Sequence, residues 1–234
     1  HLNKVGGQSA IGSGVWTAGD IMYADQDGKP GITKGAQTLE DHGDLKVIGN
    51  NTPRYHFGLD LNANYKGFDV RLFFQGVMKR DYWQGSNIFW GVGQWGMWWS
   101  TGLKEDYFRD EPVGLAGHEI AANVNSYYAR PRFDSTQNQE TQTRYLQDAS
   151  YIRLKNFQLG YTLPASMIRK IGITNCRIFV SGENLWTGTK LSKLFDPETI
   201  SGGNTDSNAS APIKSAGNAY PLSRTWSFGL SVSL

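Results

Sequence analysis

Apolar and polar residues alternate without a break from Arg224 to Leu234. Trp226, Phe228, Leu230, Val232 and Leu234 are apolar, and Thr225, Ser227, Gly229, Ser231 and Ser233 between them are small or polar. A period of two puts every apolar side chain on one side of a β-strand and every polar one on the other. Tilted as in a membrane barrel, ten such residues climb about 23 Å, close to the height of a barrel's apolar band. Residues 220–234 are therefore read as a lipid-facing terminal strand, in preference to the edge of a soluble sandwich.

The same alternation predicts a hairpin over residues 54–79. Tyr55, Phe57, Leu59, Leu61, Ala63 and Tyr65 alternate with His56, Gly58, Asp60, Asn62 and Asn64. Lys66-Gly67 follows as a two-residue turn. Phe68, Val70, Leu72 and Phe74 then alternate with Asp69, Arg71, Phe73 and Gln75. Such a turn pairs Tyr65 with Phe68, Ala63 with Val70, Leu61 with Leu72 and Leu59 with Phe74, apolar against apolar throughout. The other face pairs Asn64 with Asp69 and Asn62 with Arg71. A slip of one residue would destroy this agreement, so the register is specified.

Residues 150–187 read as a strand pair, 150–163 and 173–187. Ile152 and Leu154 occupy one phase, and Phe157, Leu159, Tyr161 and Leu163 the other, which predicts a bulge near Lys155-Asn156. Pro164 to Gly172 reads as a short helical turn stopped by glycine. Residues 1–53 read as loop, 80–149 as a long aromatic and polar loop, and 188–219 as a Gly/Ser/Asn-rich loop. Short and long connections alternate as periplasmic turns and extracellular loops do in outer-membrane barrels. On that rule the C-terminus is periplasmic and residues 1–53 are mainly extracellular. Five strands cannot close a barrel, and each open amide or carbonyl on an edge in lipid costs several kcal/mol. The strands are therefore expected to pair with polypeptide outside these residues, and His1 in place of Met points to a processed or truncated chain.

Composition narrows the reading. Hydrophobic residues are 39% and the mean hydropathy is −0.46. No apolar run reaches the roughly eighteen residues of a transmembrane helix, whereas a barrel with two unlike faces needs no such run. A net charge of +2 gives no footprint for nucleic acid. Eight tryptophans are present. Trp83, Trp90, Trp95, Trp98 and Trp99 crowd together with Tyr82 and Phe89, spaced by Gly85, Gly91, Gly93 and Gly96, and the glycines argue against a helix. The rings read either as a surface for flat apolar sugar faces or as an interfacial belt or packed loop core. The packed or interfacial reading is the plainer one, and the five tryptophans stand as the candidate ligand or lid contacts.

Reactive chemistry is sparse. Asp25 and Asp27 alternate as in a calcium loop, but Lys29 stands where the next oxygen ligand belongs and Pro30 stiffens the turn, so a plain turn with no metal is expected. His1, His42, His56 and His118 share no ligand spacing, and no zinc, nucleophile-elbow or phosphate-loop motif occurs. Glu105-Asp106 and Asp110-Glu111 are neighbours in a polar stretch and read as solvated. Neither an enzyme nor a cofactor is expected. Cys176 shares its strand phase with Ile178 and Val180, which suits a packed or lipid-facing thiol.

Seven motifs then carry a resemblance. They are Val47-Ile-Gly-Asn-Asn-Thr-Pro-Arg-Tyr, Tyr65-Lys-Gly-Phe, Phe73-Phe-Gln-Gly-Val, the run from Asp148-Ala-Ser-Tyr-Ile-Arg to Leu163-Pro, Ser181-Gly-Glu-Asn-Leu-Trp, Phe195-Asp-Pro-Glu and Tyr220-Pro-Leu-Ser-Arg-Thr-Trp. In this order they resemble the C-terminal part of SusC/RagA-type TonB-dependent transporters, outer-membrane proteins of Bacteroidota. The resemblance implies an all-β, antiparallel transmembrane barrel of about 22 strands, plugged and with long extracellular loops. It implies import of a glycan or a peptide, a SusD-like surface lipoprotein as lid, and energy from TonB acting on an N-terminal box and plug outside these residues. The partners are then that lipoprotein, TonB, the remaining N-terminal barrel and plug, and outer-membrane lipid. The alternative is a transporter-like barrel serving as a scaffold subunit, since function resides in loops rather than in the strands that carry the fold. Two positions depart from the family pattern: Lys29 and Pro30 interrupt the loop after Gly19-Asp20-Ile, and Leu234 ends a strand that often closes on Phe. Recognition of that strand by the assembly machinery would then rest on Trp226 and Phe228.

Overall fold

The computed structural model describes residues 7–8, 11, 15–83, 87–90, 106–132, 137–200 and 220–233. They form two compact units, one within His1–Gly49 and Trp83–Leu146, the other within Asn50–Tyr82 and Gln147–Leu234. In chain order the elements are β1 (Tyr55–Tyr65), β2 (Phe68–Met78), β3 (Asp81–Tyr82), α1 (Asn87–Trp90), β4 (Gln147–Asp148), β5 (Tyr151–Thr162), α2 (Ala165–Ile168), β6 (Asn175–Thr189) and β7 (Thr225–Ser233). The described residues before Tyr55 form no helix or strand.

The second unit is an antiparallel five-stranded sheet in the order β1-β2-β5-β6-β7, with β3 and β4 as a separate small ladder. The hairpin has the expected register, Tyr65 to Phe68, Ala63 to Val70, Leu61 to Leu72 and Leu59 to Phe74. Lys66 and Gly67 both have positive φ, 47° and 88°, as the tight turn matching strand twist requires. The alternation continues strand by strand. One apolar row runs Tyr65, Phe68, Tyr161, Ile178, Leu230, and the next runs Ala63, Val70, Leu159, Val180, Phe228. A polar row between other pairs runs Asn62, Arg71, Gln158, Ser181, Ser227.

The apolar face lies open. Leu59 is 47% exposed, Leu61 45%, Ile178 53%, Phe228 84%, Leu230 64% and Val232 45%. A contiguous apolar surface of this kind marks contact with lipid or protein, and a water-soluble sheet would bury it. Among the described residues no helix is long and apolar enough to cross a membrane. That observation does not bear on crossing by strands.

The polar face holds itself together. Asp69 on β2 and Arg177 on β6 are separated by β5, yet Arg177 Nε donates to Asp69 Oδ1 at 2.9 Å. Gly160 on β5 makes the bridge possible, because a Cβ there would stand 2.5 Å from both Arg177 Nη2 and Asp69 Oδ1. Arg71 pairs with Asp60 at 2.6 Å on the same face. Phe73 and Phe179 interrupt the polar pattern for a packing reason. The Phe73 ring lies 3.4 Å from the Cβ position of Gly58, and the Phe179 ring fills that of Gly229. Each aromatic covers a glycine on the neighbouring strand, which shields backbone that has no side chain of its own.

The bulge falls where the phase change in β5 predicts it. Phe73 pairs with Asn156 and Phe74 with Leu154, so Lys155 is the extra residue. On the far side, Leu154 pairs with Trp186 and Asn156 with Glu183. Asn184 takes the left-handed conformation there, φ 54°, which Asn tolerates better than most residues. At the other end α2 continues into a 3-10 turn, Arg169–Ile171, and stops at Gly172 with φ 78°.

The two faces should respond differently to charge. Leu61→Arg on the open apolar face should destabilise the full-length protein in lipid vesicles by about 2–4 kcal/mol. Asn62→Arg, one residue on, should stay within about 1 kcal/mol. Denaturant unfolding of both variants in vesicles checks this; equal costs would mean that the faces are not what the rows imply.

Candidate functional site

At the long-loop end of the sheet, two arginines hold the segment that follows β6. Arg153 sits on the polar face of β5 opposite Gln75 and is 3% exposed. Its Nε donates to Thr187 Oγ1 at 2.8 Å, Nη1 to Glu198 Oε2 at 2.7 Å and Nη2 to Asp196 Oδ1 at 2.7 Å. Lys155, the bulge residue, adds a contact to Glu198 Oε1 at 2.9 Å. Arg80, just beyond β2, donates to the carbonyls of Pro197 at 3.3 Å and Ile200 at 2.7 Å. Beneath this polar lattice Leu191, Phe195 and Ile200 are buried, and the Phe195 ring meets Tyr82 edge-on at 5.7 Å. The segment 191–200 is therefore folded over the polar face and fixed there.

Asp196 is the centre of that clamp. Its carboxylate also accepts the amides of Glu198 at 2.9 Å and Leu222 at 3.1 Å. Burial opposes its charge, but the Glu198 amide, the Arg153 guanidinium and the Leu222 amide outweigh burial and hold its pKa below the ordinary carboxylate value. The Phe195-Asp-Pro-Glu motif is visible in the sequence. Its partner Arg153, some forty residues earlier, is not, because only the β5–β6 pairing brings the two together.

The first unit contains a core of aromatic rings. Residues 80–149 were expected to be loop and the glycines to exclude a helix, but one helical turn, α1, forms in the gap between Gly85 and Gly91. Phe89 is 1% exposed, Tyr145 0%, and Trp90 and Tyr128 8% each. Trp90 stands edge-on to Tyr145 at 5.1 Å and to Phe89 at 5.1 Å, and Trp83, half-buried, lies 5.9 Å from Trp90. Tyr145 Oη donates to the Tyr127 carbonyl at 3.0 Å and accepts the Ala129 amide at 2.8 Å. Burial raises the Tyr145 pKa, and burial with the neighbouring tyrosines pushes Tyr128 up to about 12, so both phenols stay neutral at physiological pH. Trp83 and Trp90 are thus brought together, while Trp95, Trp98 and Trp99 lie outside the described residues.

Asp20 ties two distant stretches of this unit together. Its side chain is 2% exposed and is ion-paired with Arg132, whose Nε donates at 2.9 Å. Asn138 Nδ2 and the Thr17 amide donate to the same carboxylate at 3.0 and 2.8 Å. Burial opposes the Asp20 charge, and the Arg132, Thr17 and Asn138 hydrogen bonds overcome it, so its pKa is lowered. A Cβ at Gly19, φ 89°, would run into the Phe108 ring, which accounts for glycine at that position of Gly19-Asp20-Ile.

Asp25 and Asp27 are joined by Asp44, which the sequence pattern did not single out, with carboxylate oxygens within 4.8 Å of one another. Asp25 accepts the Gly28 amide, Asp27 the Lys29 amide, and Asp44 the Gln26 and Thr33 amides. Lys29 Nζ stands 3.5 Å from Asp27. The arrangement is that of a turn built on carboxylate-to-amide bonds. On β7, Trp226 (56% exposed), Phe228, Leu230 and Val232 lie on the open apolar face, with Trp226 edge-on to Phe157 at 6.2 Å. Leu234 is outside the described residues.

Long two-faced strands, with tight turns at one end and a pinned long loop at the other, define the class of this chain: an antiparallel β-sheet whose apolar face is left open. It is 29% identical over 220 residues to TonB-dependent receptor P3 of Formosa agariphila, covering 94% of this chain and 19% of that protein. It is 27% identical to TonB-dependent receptor P26 of the same organism, covering 94% of this chain and 22% of that one. In fold it matches the RagAB peptide transporter with a TM-score of 0.51 at 23% identity, and the RagAB peptide importer in its closed-closed state with 0.50 at 25%; each match covers 80% of this chain and 18% of the other. No protein-family model matches the chain. The similarity to TonB-dependent transporters that the motifs announce is thus present over 94% of the chain in sequence and 80% in fold. The chain spans about a fifth of the length of these relatives.

The clamp predicts a pH response. Because the folded pKa of Asp196 is lowered, its contribution to stability is present above the unfolded value and lost as pH falls through the folded one. The protection factor of segment 191–200, corrected for the pH dependence of intrinsic amide exchange, should be flat from neutral pH down to about 5 and fall below about pH 4. Arg153→Met removes one member of a buried ion pair and should loosen the same segment by about 3–5 kcal/mol at neutral pH. Unchanged exchange in that variant would show that the clamp does not hold the segment.

Proposed function

We propose that this chain forms the C-terminal strands of a large plugged barrel, of about 22 strands, that imports a bulky nutrient across the outer membrane by TonB-dependent transport. The single observation that carries this reading is the set of apolar rows crossing five strands and left open on one face. The TonB-dependent receptor relatives support it. The short turns at Lys66-Gly67 and 164–172 face the periplasm, with the C-terminus, and the long loops face outside. A SusD-like surface lipoprotein closes over those loops, and TonB acts through the N-terminal box and plug.

The cargo is a glycan or a peptide. Trp83, Trp90, Trp95, Trp98 and Trp99 serve as the ligand or lid contacts. Within that group Trp90, 8% exposed, supports the half-buried Trp83 and does not itself present a free ring face. Trp226, Phe228, Leu230, Val232 and Leu234 form the strand that the assembly machinery reads.

Deleting the full-length gene should abolish growth on one class of oligomer, glycan or peptide, and spare growth on its monomers. Trp83→Ala should weaken cargo binding or lid closure about tenfold, the scale of a lost ring stack, while Trp90→Ala should also lower stability. Binding by calorimetry and uptake of labelled oligomers check both. Normal uptake in the deletion strain, with loss of an assembly at the cell surface, would favour the scaffold reading instead.

A further inference from the structure

The tight-turn end of the sheet carries a surface that import does not use. The apolar row Tyr65, Phe68, Tyr161, Ile178, Leu230 is its aromatic margin, with the Phe68 and Tyr161 rings 4.4 Å apart. Aromatic rows of this kind sit at the boundary between hydrocarbon and headgroups. Just beyond the row, Lys66 folds back so that its Nζ is 5.2 Å from the Tyr65 ring centroid. The turn from Pro164 to Gly172 lies at the same end, since the Thr162 amide donates to the Gly67 carbonyl at 2.8 Å.

This turn leans over the apolar side. Cys176 belongs to that side, in register with Val232, yet it is 8% exposed where Ile178, two residues on, is 53%. α2 contacts β6, and its Ile168 is 5% exposed. The connection into α2 is tied to this position, because the Leu163 amide donates to the Cys176 carbonyl at 2.9 Å. On its outer surface Met167 is 64% and Ile171 70% exposed, flanked by the exposed cations Arg169 and Lys170. No Asp or Glu occurs between Asp148 and Glu183, so the sequence around the turn offers these cations no acidic partner.

We propose that the turn 164–172 is a membrane-interface anchor, in which Met167 and Ile171 enter the headgroup boundary and Arg169 and Lys170, with Lys66, hold the phosphates of anionic phospholipid. The inference rests on the barrel reading. Apolar residues alternating with cations just outside an aromatic margin is the chemistry of an interfacial segment. The long cationic side chains can lay their methylenes on apolar surface while their charges reach the phosphate layer. Phosphate chemistry is committed to lipid here, and not to a soluble anion, because the patch is continuous with the face that meets hydrocarbon.

The test uses the full-length protein in vesicles, with Cys176→Ala as background and one fluorescent label on either Ile171→Cys or Leu230→Cys. Lipids carrying a quencher at headgroup depth or deep in the chain report position. The Leu230→Cys label should be quenched from deep in the chain, and the Ile171→Cys label from headgroup depth. In native mass spectra, Arg169→Gln with Lys170→Gln should lose about thirtyfold in apparent affinity for phosphatidylglycerol, as for two surface cations, and nothing for phosphatidylcholine. A quenched label at 230 with an unquenched one at 171 overturns the anchor and leaves the barrel standing. An unquenched label at 230 overturns both. A label at 171 shielded from lipid and from aqueous quencher alike would assign the patch to a protein partner and overturn the anchor.

Discussion

Every strand of the sheet has one side that water disfavours and one side that hydrocarbon disfavours. That division constrains everything else. Leu61, Leu72, Phe157 and Trp226 share a row, and Asn62, Arg71, Gln158 and Ser227 share the next. No rotation or slip of a single strand preserves both rows, so the five strands have one mutual register. The sheet ends in β1 and β7, each with one edge unpaired within it. In hydrocarbon an open edge leaves amides and carbonyls without partners, which is why membrane sheets close. Among the described residues both edges of the sheet stay open, and the chain spans about a fifth of its relatives' length.

The polar face needs a different solution. Charges there meet across strands, and Gly160 is the device that lets Asp69 reach Arg177 over an intervening strand. The clamp on segment 191–200 uses the same means at the long-loop end. Lys155 is there because of the bulge, Arg153 because of its place in β5, and both converge on Glu198. Pinning a loop this way replaces disordered chain by a fixed surface, at the cost of desolvating two arginines that backbone carbonyls and carboxylates then satisfy. Pre-ordering of this kind lowers the freedom lost when a surface binds a partner.

The aromatic unit is held by the packing of its own rings. Phe89 meets Trp90 and Tyr145 edge-on and Tyr128 tilted, Trp90 meets Tyr145 edge-on, and Tyr128 stacks on Tyr145 at 6.4 Å, geometries that ring quadrupoles favour. The Tyr145 hydroxyl fastens this core to the backbone at Tyr127 and Ala129. A tryptophan within it acts first as structure, and its neighbours inherit whatever exposed ring face remains.

Alternation over Tyr55–Phe74 and Thr225–Val232 determined the strands, the hairpin register and the sidedness, because a period of two is a local property that survives without knowing the partner strand. The phase break at Lys155 gave away the bulge for the same reason. Chain order and motif content pointed to the transporter resemblance. Tertiary structure alone decided that Arg153 meets Asp196, that Asp69 and Arg177 meet over Gly160 from two non-adjacent strands, that Asp44 joins Asp25 and Asp27, and that a helical turn fits between Gly85 and Gly91. Each of these depends on which strand or loop lies beside which, and long-range pairing leaves no periodic trace in the sequence that contains it.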